Sequence, residues 1–522
     1  MSERLKKLSH HLVPQKGFAS SPSEEFIEVS APASTAASLY ERVRNTLEYQ
    51  EDHLLRRNAI LRILKRYVGT HVTLESAAGN LLQELVWAKY LPNKVVPVAF
   101  VKRIAPILAK YEPLLKAAET GGGDHDFKFH FVLDVLATEI EYVLAPPSAD
   151  EALASFMYEE LRGRTEWDPT LPVSESDRDL RFYVAVHRSL LKSTPATLRY
   201  RVFTLYYPAW NETAADSPLV SEIAADLPSV IKIVESQITD PLTERLTRLV
   251  RRRAGIFRVL GDVLRGPKPE LFEDPEELDS AVKEALRIRT KDFRVRLRRT
   301  TVRAIIFLII TKMFLAILLE LPYDALLVEE HPPLYPLFIN IFFHPIFLAI
   351  IALTISIPEK QNAADYTSAI RALSVGADHP LLHIRVKKEV RGRWSIFFDI
   401  IYALLFLLIY VGIGWLLAIF GFHWLSITLF LTFLSLVTFF GIRIRTSTRD
   451  IIASDARAGL AGTLFDILLL PIVRAGNWLS TKISKINVFI YFFDFIIEAP
   501  LKVAIQFVEG WLAFIREKKE EI

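Results

Sequence analysis

Five residues that can carry a charge or form strong hydrogen bonds lie within long apolar runs of this sequence or near their ends. They are Lys312, Glu320, Asn340, His344 and Asp399. A charged side chain at the centre of a bilayer costs about 3 kcal/mol on insertion scales, so such residues usually face protein or water and often mark a pathway. We therefore treat these five as a candidate intramembrane polar site.

Lys312 is the deepest of the five. If residues 302–321 cross the bilayer, Lys312 lies roughly 13 to 15 Å from either end of that helix, at about 1.5 Å per residue. His344 reaches a similar depth from the outer side, and Asn340 lies one turn nearer the outside. Asp399 lies at shallow depth on the inner side.

Two roles fit this site. In one, Lys312 pairs with Asp399, His344 or Glu320 and fixes the packing of the helices. In the other, Lys312, Asn340, His344 and Asp399 line the path of a small transporter or channel. We favour the structural role, because we find neither the inverted repeats nor the paired broken helices that are typical of transporters.

Other candidate chemistry is weaker. Asp124, His125, Asp126 and His130 have side chains that bind metals. The two histidines, however, are five positions apart across a glycine-rich turn, whereas the zinc motif HExxH places them four apart on one helix face. We interpret this segment as a solvated loop and expect no metal and no cofactor.

Catalytic motifs are missing from the sequence. The chain has no cysteine, which excludes disulfides, thiol nucleophiles and cysteine-ligated metals. It also lacks the nucleophile elbow, the dinucleotide fingerprint and the kinase motif set. We expect a protein that is not an enzyme, and a membrane-embedded hydrolase is the least favoured reading.

Composition predicts two kinds of region. Hydrophobic residues make up 51% of the chain and the mean hydropathy is +0.25, yet 24% of the residues are charged. The charged residues crowd into the first 300 positions and the long apolar runs follow, so a soluble region precedes a membrane region. A net charge of +3 is too small to indicate nucleic acid as a partner.

The predicted fold class is all-α. From residue 39 to about 300, apolar residues recur at spacings of three and four, which is typical of amphipathic helices in a cytoplasmic helical domain. Residues 1–38 are rich in Ser, Ala and Pro, so we expect a disordered N-terminal tail.

Four segments are long and apolar enough to span a bilayer, and they define a membrane domain over 301–442. They lie at about 302–321, 337–357, 394–420 and 424–442. Lys and Arg flank these spans on one side only, whereas the first outer connection has Asp324, Glu329 and Glu330. The positive-inside rule therefore places both termini in the cytoplasm. Because no organelle-targeting segment is evident, we expect the plasma membrane.

Residues 443–522 are predicted to form amphipathic, membrane-associated helices on the cytoplasmic side. Asp494, Glu498, Lys502 and Arg516 belong to one narrow polar stripe on an otherwise apolar helix. The alternative is that 488–516 inserts as a fifth span, with Asp494 and Glu498 turned inward.

These features favour a multi-pass membrane scaffold or recruiting protein. Its expected partners are the lipid bilayer and, through the helical domain, another protein or a second copy of the chain. The runner-up is the transporter or channel lined by the polar residues above.

Overall fold

The computed structural model describes residues 3–12, 25–29, 52–67, 77–120, 124–266, 272, 274–323, 335–355, 357, 359–387, 395–452, 460–484, 507 and 511. The acidic outer connection at 324–334 and nearly all of the predicted 488–516 helix lie outside these residues. So do residues 13–24 and 30–38 of the predicted tail. Within that tail, Glu3–His11 is helical rather than disordered, because Leu5, Leu8 and Leu12 recur at helical spacing and are buried.

The described chain consists almost entirely of helices. In chain order they are α1 Glu3–His11, α2 Asp52–Tyr67, α3 Ala77–Trp87, α4 Ala99–Thr120, α5 His125–Leu144, α6 Ser148–Arg162, α7 Glu175–Leu190, α8 Pro195–Tyr206, α9 Pro218–Ala225, α10 Leu227–Thr239, α11 Pro241–Leu264, α12 Pro275–Leu315, α13 Tyr335–Leu353, α14 Glu359–Val375, α15 Ser395–Ile419, α16 Trp424–Ser447 and α17 Leu460–Ser484.

Strands contribute little to the described residues. Thr165–Trp167 (β1) and Ile384–Val386 (β2) form one short parallel pair, with Glu166 opposite Arg385. The prediction of an all-α fold is confirmed.

Two compact units divide the chain. The first, which we call the soluble unit after the predicted soluble region, contains the described residues of Lys7–Arg162, Pro172–Val250 and Val488–Ile522. The second, the apolar unit, contains those of Met1–Lys6, Gly163–Leu171 and Arg251–Asn487. The boundaries predicted at 38, 300 and 442 remain predictions.

In the soluble unit, α5 lies at the centre and packs against α2, α4 and α8. Its side chains Leu133, Leu136 and Ile140 are fully buried. Full burial of one such side chain is worth about 1.5–3 kcal/mol, which is why this helix organises the core.

Charged groups inside this core are paired. Lys110 Nζ donates to Glu139 Oε1 at 2.7 Å and to the backbone oxygen of Trp210 at 2.9 Å. Tyr111 donates to Glu139 Oε2 at 2.6 Å. Such pairing is required, because an uncompensated buried charge costs several kcal/mol.

Among its described residues, the apolar unit has four helices that are long and apolar enough to cross a membrane. They are Pro275–Tyr323, Tyr335–Leu353, Ile400–Ile419 and Trp424–Ser447. The four predicted spans fall on these helices. The first differs from its prediction because it is the end of a much longer helix, since no Pro or Gly interrupts residues 276–321.

Glycines allow close packing between helices of this unit. On α16, a Cβ atom at Gly441 would lie 2.8 Å from Ile351 Cδ1 of α13. On α17, a Cβ atom at Gly476 would lie 2.0 Å from the backbone oxygen of Ser435 of α16. Helix α17 therefore packs directly on the backbone of a candidate span.

Candidate functional site

The structure brings four of the five predicted polar residues together in the interior of the apolar unit. Lys312 lies near the end of α12, and Glu320 lies one short segment further on; Asn340 and His344 are one turn apart on α13. Their exposed fractions are 2%, 3%, 1% and 0%, respectively. The side chain of Asp399 lies outside the described residues, so its predicted role is untested.

Asn340 bridges the lysine and the glutamate. Lys312 Nζ donates to Asn340 Oδ1 at 2.5 Å, and Asn340 Nδ2 donates to Glu320 Oε1 at 2.5 Å. Charge-assisted hydrogen bonds are shorter and roughly twice as strong as neutral ones. The amide of α13 thus joins Lys312 of α12 to Glu320, which lies in the segment that follows α12.

The directions of these hydrogen bonds are compatible with opposite charges on Lys312 and Glu320. An ammonium only donates and an ionised carboxylate only accepts, whereas an amide does both from opposite ends. The hydrogen-bond network fixes the orientation of the amide, with its oxygen toward Lys312 and its nitrogen toward Glu320. An ammonium and an ionised carboxylate can make both of these hydrogen bonds, and their charges would then cancel.

A π-helical turn positions Glu320. Residues Ala316–Glu320 form this turn, and it directly follows α12. In a regular α-helix a residue eight positions after Lys312 would be rotated by about 80° around the axis. The wider i→i+5 turn rotates the chain less per residue, which moves Glu320 back toward the face of Lys312.

His344 connects α13 to α16. Its Nε2 lies 3.0 Å from the backbone oxygen of Phe430, and its Nδ1 lies 3.2 Å from that of Asn340. Both neighbours are acceptors, and a neutral imidazole can donate to only one of them. The contact with Phe430 ties the polar residues to a third helix.

Two aromatic residues that the sequence did not single out complete the site. The Lys312 ammonium lies 4.2 Å from the ring centroid of Phe433, in the range of a cation–π interaction. Phe430 packs edge-on against His344 at 4.6 Å. In the sequence, Phe430 and Phe433 are marked only by lying three residues apart on one apolar span. Many other aromatic residues of this chain share that spacing.

The arrangement therefore satisfies its polar groups internally and joins α12, α13 and α16. It combines an ion pair bridged by an amide with a histidine bound to a backbone carbonyl. Its donors and acceptors can therefore hold the three helices together.

The glycine-rich segment has a local structural role. Asp124 caps α5, since its Oδ1 accepts from the Phe127 backbone at 3.1 Å. His125 stacks on Phe129 at a centroid distance of 6.2 Å. No group of three or more possible metal ligands occurs among the residues that the structure describes.

Comparison with known proteins does not name a function. No protein-family model, no curated protein and no solved structure matches this chain.

Proposed function

We propose that this protein is a non-enzymatic, multi-pass membrane scaffold whose soluble helical unit recruits a partner. The observation that carries the proposal is the Lys312–Asn340–Glu320 bridge. Its ammonium is paired in an enclosed interior, as expected of a device that fixes helix packing.

The bridge supports a structural role for energetic reasons. Removing one partner of a buried ion pair destabilises a protein by about 3–5 kcal/mol, because the other charge stays buried without compensation. The bridge also links α12 to α13 at a place where the remaining contacts are apolar and could slide. It would therefore fix the register of the two helices.

The orientation follows from basic residues beside the spans. On α12, Arg296, Arg299 and Arg303 lie at spacings of three and four on one face, directly before the apolar run, and all three are exposed. Arg443 follows the apolar run of α16. These residues support a cytoplasmic location for the soluble unit and for the C-terminus. The plasma membrane is part of the proposal and does not follow from them.

Recruitment is supported by apolar side chains on the soluble unit. Leu205 and Tyr206 at the end of α8 and Ile233 on the adjacent α10 are all exposed. Tyr206 lies beside α10, because Gln237 Nε2 donates to its hydroxyl at 3.3 Å. The partner would be a protein with an apolar docking face, or a second copy of this chain.

Transport is the second candidate function, and the π-turn favours it. Such turns occur frequently at functional sites. Here the turn lies between Lys312 and Glu320, and His344 beside them has two acceptors for one proton. In this alternative, Lys312, Asn340, His344 and Asp399 would line the path.

Co-purification from native membranes tests recruitment. We expect Ile233→Asp and Leu205→Asp to lose a partner, or a second copy, that the wild-type chain retains. Val98→Asp, at another exposed apolar position of the same unit, is the matched control and should retain it. A partner bound equally by all variants would contradict docking at α8 and α10.

Flux in proteoliposomes tests the alternative. We expect wild-type protein and Lys312→Met to give the same proton and ion permeability as empty liposomes. Permeability that the wild type confers and Lys312→Met abolishes would favour the transporter.

A further inference from the structure

The soluble unit contains a cavity that shares Leu205 with the proposed docking surface and is otherwise separate from it. Its volume is about 470 Å³, within the roughly 300–1,000 Å³ of typical small-molecule sites. Helices α5, α6, α7 and α8 supply most of its lining. Apolar side chains form part of the wall, including Ile107, Val143 and Leu205.

Arg201 provides the positive charge of this cavity. Its side chain is 6% exposed. Its Nη1 donates to Glu151 Oε2 at 2.5 Å and its Nη2 donates to the hydroxyl of Tyr142 at 2.7 Å. Its Nε is buried and has no hydrogen-bond partner among the described residues.

Other donors face the same space. The Tyr142 oxygen accepts from Arg201, so its own O–H is available to a ligand. The Tyr183 hydroxyl lies 3.5 Å from Arg201 Nη1, at the limit of a hydrogen bond. Burial raises the pKa of both phenols, which therefore keep their protons at neutral pH.

Asn211 adds another donor. Tyr200 donates to Asn211 Oδ1 at 3.0 Å, which leaves the amide nitrogen of Asn211 available. This asparagine lies in the short turn Pro208–Glu212 after α8 and lines the cavity.

The two carboxylates of the lining are already engaged. Glu139 accepts from Lys110, Tyr111 and Trp210. Glu151 is the counter-ion of Arg201. Glu151 Oε1 keeps accepting capacity, because it is buried and makes no hydrogen bond among the described residues. Once Glu151 has moved away, the capacity left over at the arginine, the two phenols and the amide is donating, and it matches a ligand that brings acceptors.

Glu151 can leave its position at small cost. It lies in the first turn of α6, where the helix dipole stabilises a carboxylate even without Arg201. Its side chain is 31% exposed, so rotation into solvent is open to it.

We propose that this cavity binds a small organic anion, whose carboxylate or phosphate replaces Glu151 at Arg201. The apolar body of the ligand packs against Ile107, Val143 and Leu205. Tyr142, Tyr183 and Asn211 donate to its acceptor oxygens. This inference goes beyond the scaffold role and does not depend on it.

Isothermal titration of the full-length protein in nanodiscs tests the proposal with three probes that share a phenyl ring. Benzoate and benzamide have the same shape and differ in charge, and phenyl phosphate carries a tetrahedral anionic head. We expect at least one of the two anions to bind more tightly than benzamide, and the better one identifies the preferred head group.

Variants connect binding to the cavity. Glu151→Gln removes the carboxylate that competes with the ligand for Arg201. The dissociation constant of the better anion should therefore fall about tenfold. Tyr183→Phe removes a hydrogen-bond donor, so the dissociation constant of that anion should rise several-fold. Glu244→Gln is the matched control, since Glu244 pairs with Arg188 at 2.6 Å on an exposed surface, and it should change nothing.

Three results would overturn the proposal. They are equal binding of benzamide and the anions, an effect of Glu151→Gln no larger than that of Glu244→Gln, and no binding of either anion to any variant. Arg201→Gln leaves Glu151 without its counter-ion, and Glu151→Gln leaves the more deeply buried Arg201 without its own, so thermal unfolding of each variant is measured beside its binding. Tyr183→Phe keeps the Arg201–Glu151 pair and supplies the decisive loss.

Discussion

The ammonium of Lys312 donates to the side-chain oxygen of Asn340 at 2.5 Å, between two helices that otherwise meet through apolar side chains. This contact explains how a lysine persists deep in an apolar segment. The same amide donates to Glu320, so it connects the lysine to the glutamate. Lys312 and Glu320 are therefore expected to stabilise each other, and the loss of either should destabilise the protein.

Lys312→Met should destabilise the protein by about 3–5 kcal/mol, because the buried Asn340–Glu320 pair then loses the ammonium bound to it. Adding Glu320→Gln should recover much of that loss. Thermal unfolding of the purified single and double variants measures the coupling. Lys360→Met, at an exposed position on α14, is the control. Additive effects of the two substitutions would contradict the bridge.

Gly476→Ala should separate α17 from α16, because the new methyl group would lie 2.0 Å from the Ser435 backbone oxygen. Overpacking of this kind costs about 1–3 kcal/mol. Gly412→Ala on α15 is the matched control, since nothing lies within 4 Å of that position. Limited proteolysis within 460–484 should become faster in the first variant only; equal rates would show that the two helices do not pack closely.

Acidification should weaken the soluble unit through His187. Burial lowers the pKa of this imidazole to about 3, while the unfolded chain has a pKa near 6.5. Between those values the unfolded state binds more protons, so stability falls as pH drops below about 6.5, by at most about 1.4 kcal/mol per pH unit.

Hydrogen exchange of α7 peptides, corrected for the intrinsic pH dependence of exchange, measures this effect. His187→Leu should flatten the dependence between pH 7 and pH 5. His125→Gln, at an exposed histidine of the same unit, should not. An unchanged slope in His187→Leu would assign the acid sensitivity to other groups.

Orientation is testable because the chain has no native cysteine. In intact cells, an impermeant maleimide should label Tyr335→Cys at the outer start of α13 and should leave Lys360→Cys unlabelled until the membrane is opened. The reverse pattern would place the soluble unit outside the cell.

Part of this architecture was predictable from sequence. The four spans follow from long apolar runs, and Lys312, Asn340 and His344 stand out within them because polar residues are rare there. The length of α12 could also have been predicted, since Pro and Gly are missing from 276–321. The predicted span nevertheless began near residue 302.

The internal arrangement was not predictable to the same degree. Glu320 reaches the face of Lys312 through a π-turn, which has no recognisable sequence signature. The sequence predicted that Asn340 belongs to the polar site around Lys312 or lines a transport path. Its role as the bridge depends on the register between α12 and α13. The Arg201 cavity combines side chains from several helices, and no local spacing relates them.

Solvent access to position 312 tests the central claim most directly. Lys312→Cys in a Glu320→Gln background removes both charges together and provides a single thiol. The account predicts that a charged methanethiosulfonate reagent, added from either side of the membrane, leaves this thiol unmodified while it modifies Tyr335→Cys. Rapid modification of position 312 from either side would place it in a water-filled pathway and contradict the enclosed bridge.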